Sequence, residues 1–413
     1  MLARWARICL IIITVFVLAI YLPDIYWKAF EERAPRAYIQ FSPVIDKFVI
    51  MKSDKKGFRI YDSDGVRYSR EEYDRLLPLY NARQLVYEQD FPDSLRGVEL
   101  NLDEIRRNDI RLSVHPAAFH QSEIPMYPMM ESQSGRAKLV YSDYFFRIDD
   151  RMEFFSASAN DIETELTEKF TRELSDQNFA FPAVYIAGNP TTRKSFDEGY
   201  FIIDSQNTMF HVKMVKGEPF VARIDIPDGI SISYINVKEF DLREFYGVAV
   251  TSEGECYLIS YDNYRFVKLP TPPYQEDVNE LKIYGNLFFR NMISISDTGM
   301  TCLITDRDYQ PIDSYTDTWK DRAQTTAGVI ASYLFPFQLN LKIERSLFVY
   351  PYLQLSTWHS LFGILILLVL TFFLGKKNKN EGRTNLVNLI VVLLTGIYGF
   401  LSILLFTPIH RKF

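Results

Sequence analysis

YFIIDSQNTMFHVKMVKGEPFVARI, residues 200–224, contains three short apolar runs broken by turn residues. The runs are Tyr200 to Asp204, Met209 to Val215 and Phe220 to Ile224, separated by Ser205-Gln206-Asn207 and by Gly217. Aromatic and β-branched runs of five to seven residues, punctuated by Asn and Gly, specify a meander of antiparallel strands. The pattern recurs downstream. Gly247 to Thr251, Cys256 to Ser260 and Arg265 to Leu269 form a second unit, with turns at Glu253-Gly254 and Asp262-Asn263. Leu287 to Ser296, Thr301 to Thr305 and a run ending near Ile312 form a third. Thr251 follows Asp204 by 47 positions, and Ser296 follows Thr251 by 45. Earlier units fall at Phe145 to Asp150 and at Phe48 to Ile60.

A meander every 45 or so residues is the pattern of propeller blades, each sheet burying a face on its neighbour. The middle of the chain has room for about six or seven. No blade motif accompanies the spacing, so an irregular β-sandwich or a set of paired sheets stays open. Two short helices interrupt the strands. Ser69 with Glu72 forms a capping box opening a helix that Pro78 ends. Asp161 is expected to cap a second helix, along which Ile162, Leu166, Phe170 and Leu174 recur at helical spacing.

The two ends are apolar. Ile8 to Leu22 follows Arg4 and Arg7, and lacks the small-residue pattern of a cleavage site. An uncleaved anchor is therefore expected. Leu361 to Leu374 and Leu386 to Phe406 make two further candidate spans. The loop between them carries Lys376, Lys377, Lys379 and Arg383, which belong on the cytoplasmic side. With three spans, the N-terminus is then inside, and both the central domain and the C-terminus are outside. Arg411 and Lys412 at the C-terminus count against that placement. Gly396, Gly399 and Ser402 fall on one face of the third span as a candidate helix-packing stripe.

The expected fold class is thus a mainly β ectodomain of propeller-like repeats with a few short helices, plus three transmembrane α-helices. Its parts are an anchor helix (1–29), a β-rich extracytoplasmic domain (30–347), a second transmembrane helix (348–375), a basic cytoplasmic loop (376–385), a third transmembrane helix (386–408) and a tail (409–413). The segment Gly328 to Phe337 is apolar but too short to cross. It reads either as a membrane-surface piece or as a buried piece of the ectodomain.

A net charge of −6 without a basic stripe argues against nucleic-acid binding. Five histidines and three scattered cysteines give no metal-ligand spacing. In an oxidising compartment Cys256 and Cys302 could pair, yet their offsets from the preceding glycines point them to opposite strand faces. Asp62-Ser63-Asp64-Gly65 is half of a calcium loop and reads as a β-turn. There is no nucleophile elbow, Walker loop, H-E-x-x-H or dinucleotide fingerprint, so no catalytic residue, cofactor or metal is assigned. The candidate site is Pro190 to Gly199, a charged link between two strand runs. Thr192, Arg193, Lys194, Asp197 and Glu198 would bind a charged ligand or a partner loop, with a guanidinium fork offered by Arg193. Against that stands a solvated connector whose charges only pair with one another.

Five stretches, LPDIYWK (Leu22 to Lys28), SGRAKL (Ser134 to Leu139), PTTRKSFDEGYFIIDS (Pro190 to Ser205), FHVKMVKGEP (Phe210 to Pro219) and LKIYGNLF (Leu281 to Phe288), resemble an uncharacterised family of bacterial membrane proteins known as a domain of unknown function. The resemblance covers roughly residues 1–320. Phe196 departs from it, standing where the family is expected to have a Cys, so an essential thiol there is not implied. Family genes tend to neighbour ABC-transporter genes, which implies an ABC permease or ATPase as partner, beside the lipid bilayer. The expectation is a non-catalytic accessory or partner-binding subunit of an ABC-type transport complex in a bacterial inner membrane. An envelope scaffold or sensor, and a membrane-tethered enzyme, are the alternatives.

Overall fold

The structure, a computed structural model, describes residues 2–31, 37–54, 57–120, 124–133, 135, 138–340, 351–377 and 382–406. The chain forms two compact units, one of residues 36–317 and one joining 1–35 to 318–413.

The larger unit is mainly β. Among the described residues it holds five antiparallel sheets of three or more strands. The first has strands Ala37–Ser42, Lys47–Asp54 and Gly57–Asp62. The second is built from Tyr127–Pro128, Tyr144–Ile148, Met152–Ser156 and Asp161–Ile162. The third is Ala183–Gly188, Tyr200–Asp204, Met209–Val215 and Glu218–Ile224. The fourth is Ile232–Val237, Phe245–Thr251, Cys256–Ser260 and Phe266–Lys268. The fifth runs through Glu280–Gly285, Arg290–Ile295, Gly299–Thr305 and Pro311–Thr318, and gains Ile110–Val114 on its opposite edge. The spacing had suggested six or seven such units. Much of the room between the first and second sheets is taken instead by three short helices, α2 (Arg70–Leu76), α3 (Ala82–Tyr87) and α4 (Leu102–Arg107).

Central strands are buried on both faces. Along Tyr200–Asp204, Tyr200 and Ile202 enter one apolar core while Phe201 and Ile203 enter another. The first of these cores joins the second and third sheets, with Phe146, Phe154 and Phe210. The other joins the third and fourth, and a further core of Ile110, Val248, Leu258 and Ile283 joins the fourth and fifth. Strands covered on both sides read as continuous apolar runs, which is what made them conspicuous in the sequence. The first and last sheets also touch. Phe41 meets Phe289 edge-on at 5.1 Å, Phe48 lies 5.9 Å from Tyr315, and Lys52 Nζ donates to Asp317 at 2.7 Å.

The capping box of α2 is present, since Ser69 accepts from the Glu72 amide and the Glu72 carboxylate accepts from the Ser69 amide. Asp161 does not cap α5 (Thr164–Asp176). It pairs with Ser156 in the second sheet and Glu163 occupies the cap position, because the edge strand continues further than helical periodicity suggested. Asp62 forms a turn, accepting from the amides of Asp64 and Val66 and from the Tyr68 hydroxyl. Cys256 and Cys302 are free and buried in the fourth and fifth sheets.

The smaller unit is mainly helical, with one antiparallel strand pair, Phe337–Asn340 and Tyr352–Leu355. α1 (Leu2–Phe30), with its Trp5–Phe30 portion, and α7 (Ser360–Lys377) are long and apolar enough to cross a membrane. α6 (Thr326–Leu334) leaves Val329, Ile330, Tyr333 and Leu334 exposed, and its Ala327 carbonyl accepts from Tyr26 of α1 at 2.8 Å. The expected third transmembrane helix is corrected. Residues 386–406 do not form one continuous helix but two, α8 (Gly382–Thr395) and α9 (Ile397–Leu405). Gly396 between them has φ +57° and ψ −128°, a conformation closed to residues bearing a Cβ. The chain doubles back there. A Cβ on Gly399 would meet Val391, eight residues earlier, at 2.9 Å. In an unbroken helix eight residues span about 12 Å. Gly399 and Ser402 are buried in α9, whereas Gly396 makes the turn, so the three do not lie on one face of a single helix. The loop residues 378–381 and the tail 407–413, with Arg411 and Lys412, lie outside the described residues.

Candidate functional site

The link from Asn189 to Gly199 joins the first two strands of the third sheet. It is held in place from both ends. Gly199 adopts φ +66° with its Cα against the neighbouring strand, where a Cβ would come within 2.3 Å of the Val212 carbonyl. At the other end the Thr191 amide bonds to the Asn189 carbonyl at 2.8 Å.

Folding turns this charged stretch inward. The Lys194 side chain is only 6% exposed, and its ammonium donates to the Asn189 carbonyl at 2.5 Å and to the carboxylates of Asp197 and Glu239. Those carboxylates are 3% and 1% exposed. Three donors with three acceptors saturate the ammonium. The second oxygen of Glu239 accepts from Asn189 Nδ2 at 2.6 Å, and that of Asp197 from the Gly199 amide at 3.0 Å. Burial pushes the Asp197 carboxyl above its ordinary value, and the Lys194 charge pulls part of that back.

Glu198 points the other way along the sheet. It accepts from Lys213 Nζ at 2.6 Å and from the Tyr261 hydroxyl at 2.9 Å. Its backbone carbonyl lies 2.5 Å from His211 Nε2, while His211 Nδ1 is 2.8 Å from the Tyr264 hydroxyl. His211 is fully buried and stacked on Phe201 with centroids 4.7 Å apart. Burial, assisted by the nearby Lys213 charge, drives its pKa down to about 3, so the ring is neutral. Tyr261 and Tyr264 are pushed up by burial, and Tyr261 also by the Glu198 charge. The imidazole of His211 and the two phenols are thus all neutral near pH 7.

The structure thus gathers Lys194, Asp197 and Glu198 into a buried network and separates Thr192 and Arg193 from it. Arg193 is exposed, and with Lys138, Thr192, Lys194 and Ser195 it lines an open cleft of about 420 Å³. Lys194, Asp197 and Glu198 are buried rather than solvated, and Lys194 pairs with Asp197 and with Glu239. Phe196 is covered by the Arg243 guanidinium at 4.3 Å.

Several members of the network carried no signal in the sequence. Glu239 and Glu244 sit in one short link, Lys238 to Glu244, between the first two strands of the fourth sheet. Glu239 reaches back to Lys194, and Glu244 reaches forward to Arg290 of the fifth sheet at 2.5 Å. Arg290 is fully buried and also donates to the carbonyls of Asn286 and Phe289, at 2.7 and 3.0 Å, while Tyr309 donates to Glu244. The one available hint was the interleaving of these acids with Phe240, Leu242 and Phe245. Apolar neighbours drag a carboxylate inside only where a cation waits. Among the described residues no group of acidic, His or Cys side chains is arranged to hold a metal.

The family described as a domain of unknown function, DUF4857, matches residues 38–305. That span takes in the link and all its buried partners. No curated protein matches the chain. A solved structure of PorZ, described as an essential bacterial surface component of the type-IX secretion system of Porphyromonas gingivalis, is similar at 10% identity with a TM-score of 0.21. The similarity covers 68% of this chain and 32% of that one, so the chain spans about a third of that protein, and a likeness this loose carries no argument.

Proposed function

This chain belongs to the DUF4857 family, a domain of unknown function, and from that premise we propose that it is a membrane-anchored, non-catalytic subunit that presents a rigid β domain to a protein partner. The observation that carries the reading is the state of the link at 189–199. Its buried acids and lysine are satisfied by one another, which leaves the exposed Arg193 on a fixed backbone. An immobilised loop with one outward guanidinium suits recognition of a carboxylate on another protein, because little ordering entropy is lost on docking.

Anchoring is supported by α1 and α7, whose Ile12, Ile13, Phe16, Leu365, Ile366 and Val369 face outward with no charge between them. The basic residues around 376–383 favour the cytoplasm for that loop and so the envelope side for the β domain. The five sheets read best as propeller-like. The second to fifth sheets share cores in consecutive pairs, and the first touches the fifth, an order of neighbours in keeping with an arc of propeller-like units whose gap between the first and second sheets is taken up by α2 to α4. The partner proposed is an ABC-type permease or ATPase, as the family resemblance implies. Affinity purification of the full chain from native membranes, followed by mass spectrometry, is expected to recover it. A particle containing this chain alone sinks the proposal. Arg193→Ala should reduce the recovery at least several-fold while leaving the thermal transition of the protein unchanged.

A further inference from the structure

We propose that α8 and α9 form a re-entrant hairpin that enters the bilayer and leaves on the face it came from, latched by Arg7 of α1. The chain then crosses the membrane twice, and its C-terminus lies on the same side as the basic loop at 376–383. This rests on the anchoring proposed above and departs from the three-span topology that length and hydropathy suggest.

Three observations carry it. The first is the reversal at Gly396, whose left-handed backbone ends α8, and the packing of Gly399 against Thr395 and Val391 of the preceding arm. The second is a single side chain touching both arms. Arg7 Nε donates to the Phe406 carbonyl at 2.7 Å, and Arg7 Nη2 donates to Asn388 Oδ1 at 3.1 Å. Asn388 lies eight residues before the turn and Phe406 ten after it, so the two arms descend to one level. The third is where the turn sits. A Cβ on Gly396 would meet Pro336 at 2.9 Å and Ile364, in the first turns of α7, at 3.4 Å. At the other end of α7, Gly375 lies against Asn385 of α8. α7 therefore runs from the tip of the hairpin to its open end, and α9 points back toward the end of α7 that carries Lys376 and Lys377.

The energetics agree. An arginine and an asparagine placed among apolar helices are costly unless they satisfy each other and a backbone group. Here Arg7 supplies a donor to the carbonyl of Phe406, the residue that caps α9. Asn388, only 2% exposed, is the polar residue that a plain membrane span would not need. The topology also brings Arg411 and Lys412 to the side already occupied by Arg4, Lys376, Lys377, Lys379 and Arg383. That removes the conflict with the positive-inside tendency.

The test uses the full chain with a C-terminal epitope tag, expressed in spheroplasts treated with external protease. The expected result is that the central domain and the tag lie on opposite faces, the domain digested and the tag retained on a protected fragment. Removal of the tag together with the domain, or protection of both, places them on one face and overturns the hairpin. Digestion of the tag with protection of the domain keeps the hairpin and overturns the orientation proposed for the β domain, so the two claims fail separately. A second readout uses Arg7. Arg7→Ala should leave the domain accessible and expose the tag in a fraction of molecules, whereas Arg7→Lys, which keeps the charge but lacks the planar fork that reaches Phe406 and Asn388 together, should fall between. An unchanged protection pattern in Arg7→Ala, with the thermal transition also unchanged, refutes the latch.

Discussion

Lys194 is held by two carboxylates and a carbonyl in a place that water scarcely reaches. Removing the ammonium while leaving the acids strands two buried charges, and breaking a buried pair in this way costs about 3–5 kcal/mol. Lys194→Met should therefore lower the thermal transition of the detergent-solubilised protein sharply, although it keeps most of the packing. Adding Asp197→Asn and Glu239→Gln should restore most of the loss. If the triple variant remains as unstable as the single one, the charges are not acting on one another. His211 gives a pH signature. Its pKa is near 3 in the fold and near 6.5 in the open chain. A depressed value means stability fully present above pH 6.5 and lost as the pH falls toward 3, with a slope of at most about 1.4 kcal/mol per unit. Asp197 is raised instead, so its contribution is present below pH 3.8 and is lost as the pH rises through its folded value, opposite in sign to that of His211. A plot of stability against pH should lose its slope between pH 6.5 and 5 in His211→Gln. Nothing in the sequence marked His211 as more than a strand residue, because the identity of its partners depends on which strands become neighbours.

At the scale of elements, the sequence was most legible where burial was most complete. The strands at 200–204, 209–215, 245–251 and 256–260 are covered on both faces or nearly so, and their turns carry Asn or Gly at positive φ, as at Asn207, Gly217, Gly254 and Asn263. Apolar runs and turn chemistry therefore agreed. The third span was misread for a definite reason. Hydropathy counts apolar residues along the chain and is blind to direction, so two short helices in antiparallel order look like one long one. Gly396 and Asn388 were the residues that said otherwise. Gly396→Ala introduces a Cβ into a left-handed backbone and against Pro336, and it favours α8 continuing into α9. Its expected outcome is either a marked drop in the thermal transition or a C-terminal tag that becomes accessible from the domain side. A variant matching the parent in both respects would show that the turn does not depend on glycine. Ser69→Ala at the cap of α2 is a milder change, expected to cost about 1 kcal/mol.

For the whole molecule, the sequence announced a β-rich centre between apolar ends, and the family span of 38–305 lies within that centre. What it withheld was the association of the parts. The Ile110–Val114 strand joins a sheet whose other strands begin some 165 residues later, and no local pattern encodes such a pairing. The site was legible in composition but not in role, since Lys194 and Glu198 look alike on paper to Arg193 and only the fold decides which of them face water. At this scale the expected behaviour is that of an integral protein. The chain should stay with the membrane through an alkaline carbonate wash, and its release into the supernatant would discard the anchoring of α1 and α7.

The link carrying Glu239 and Glu244 bears on how this fold can change over time. Its two acids are five positions apart and grip cations on opposite sides, one in the preceding sheet and one in the following. Adding or deleting even one residue there would let at most one grip survive. Homologous chains should therefore vary in length at the outer hairpins and keep this segment at constant length, as a ruler between three successive sheets.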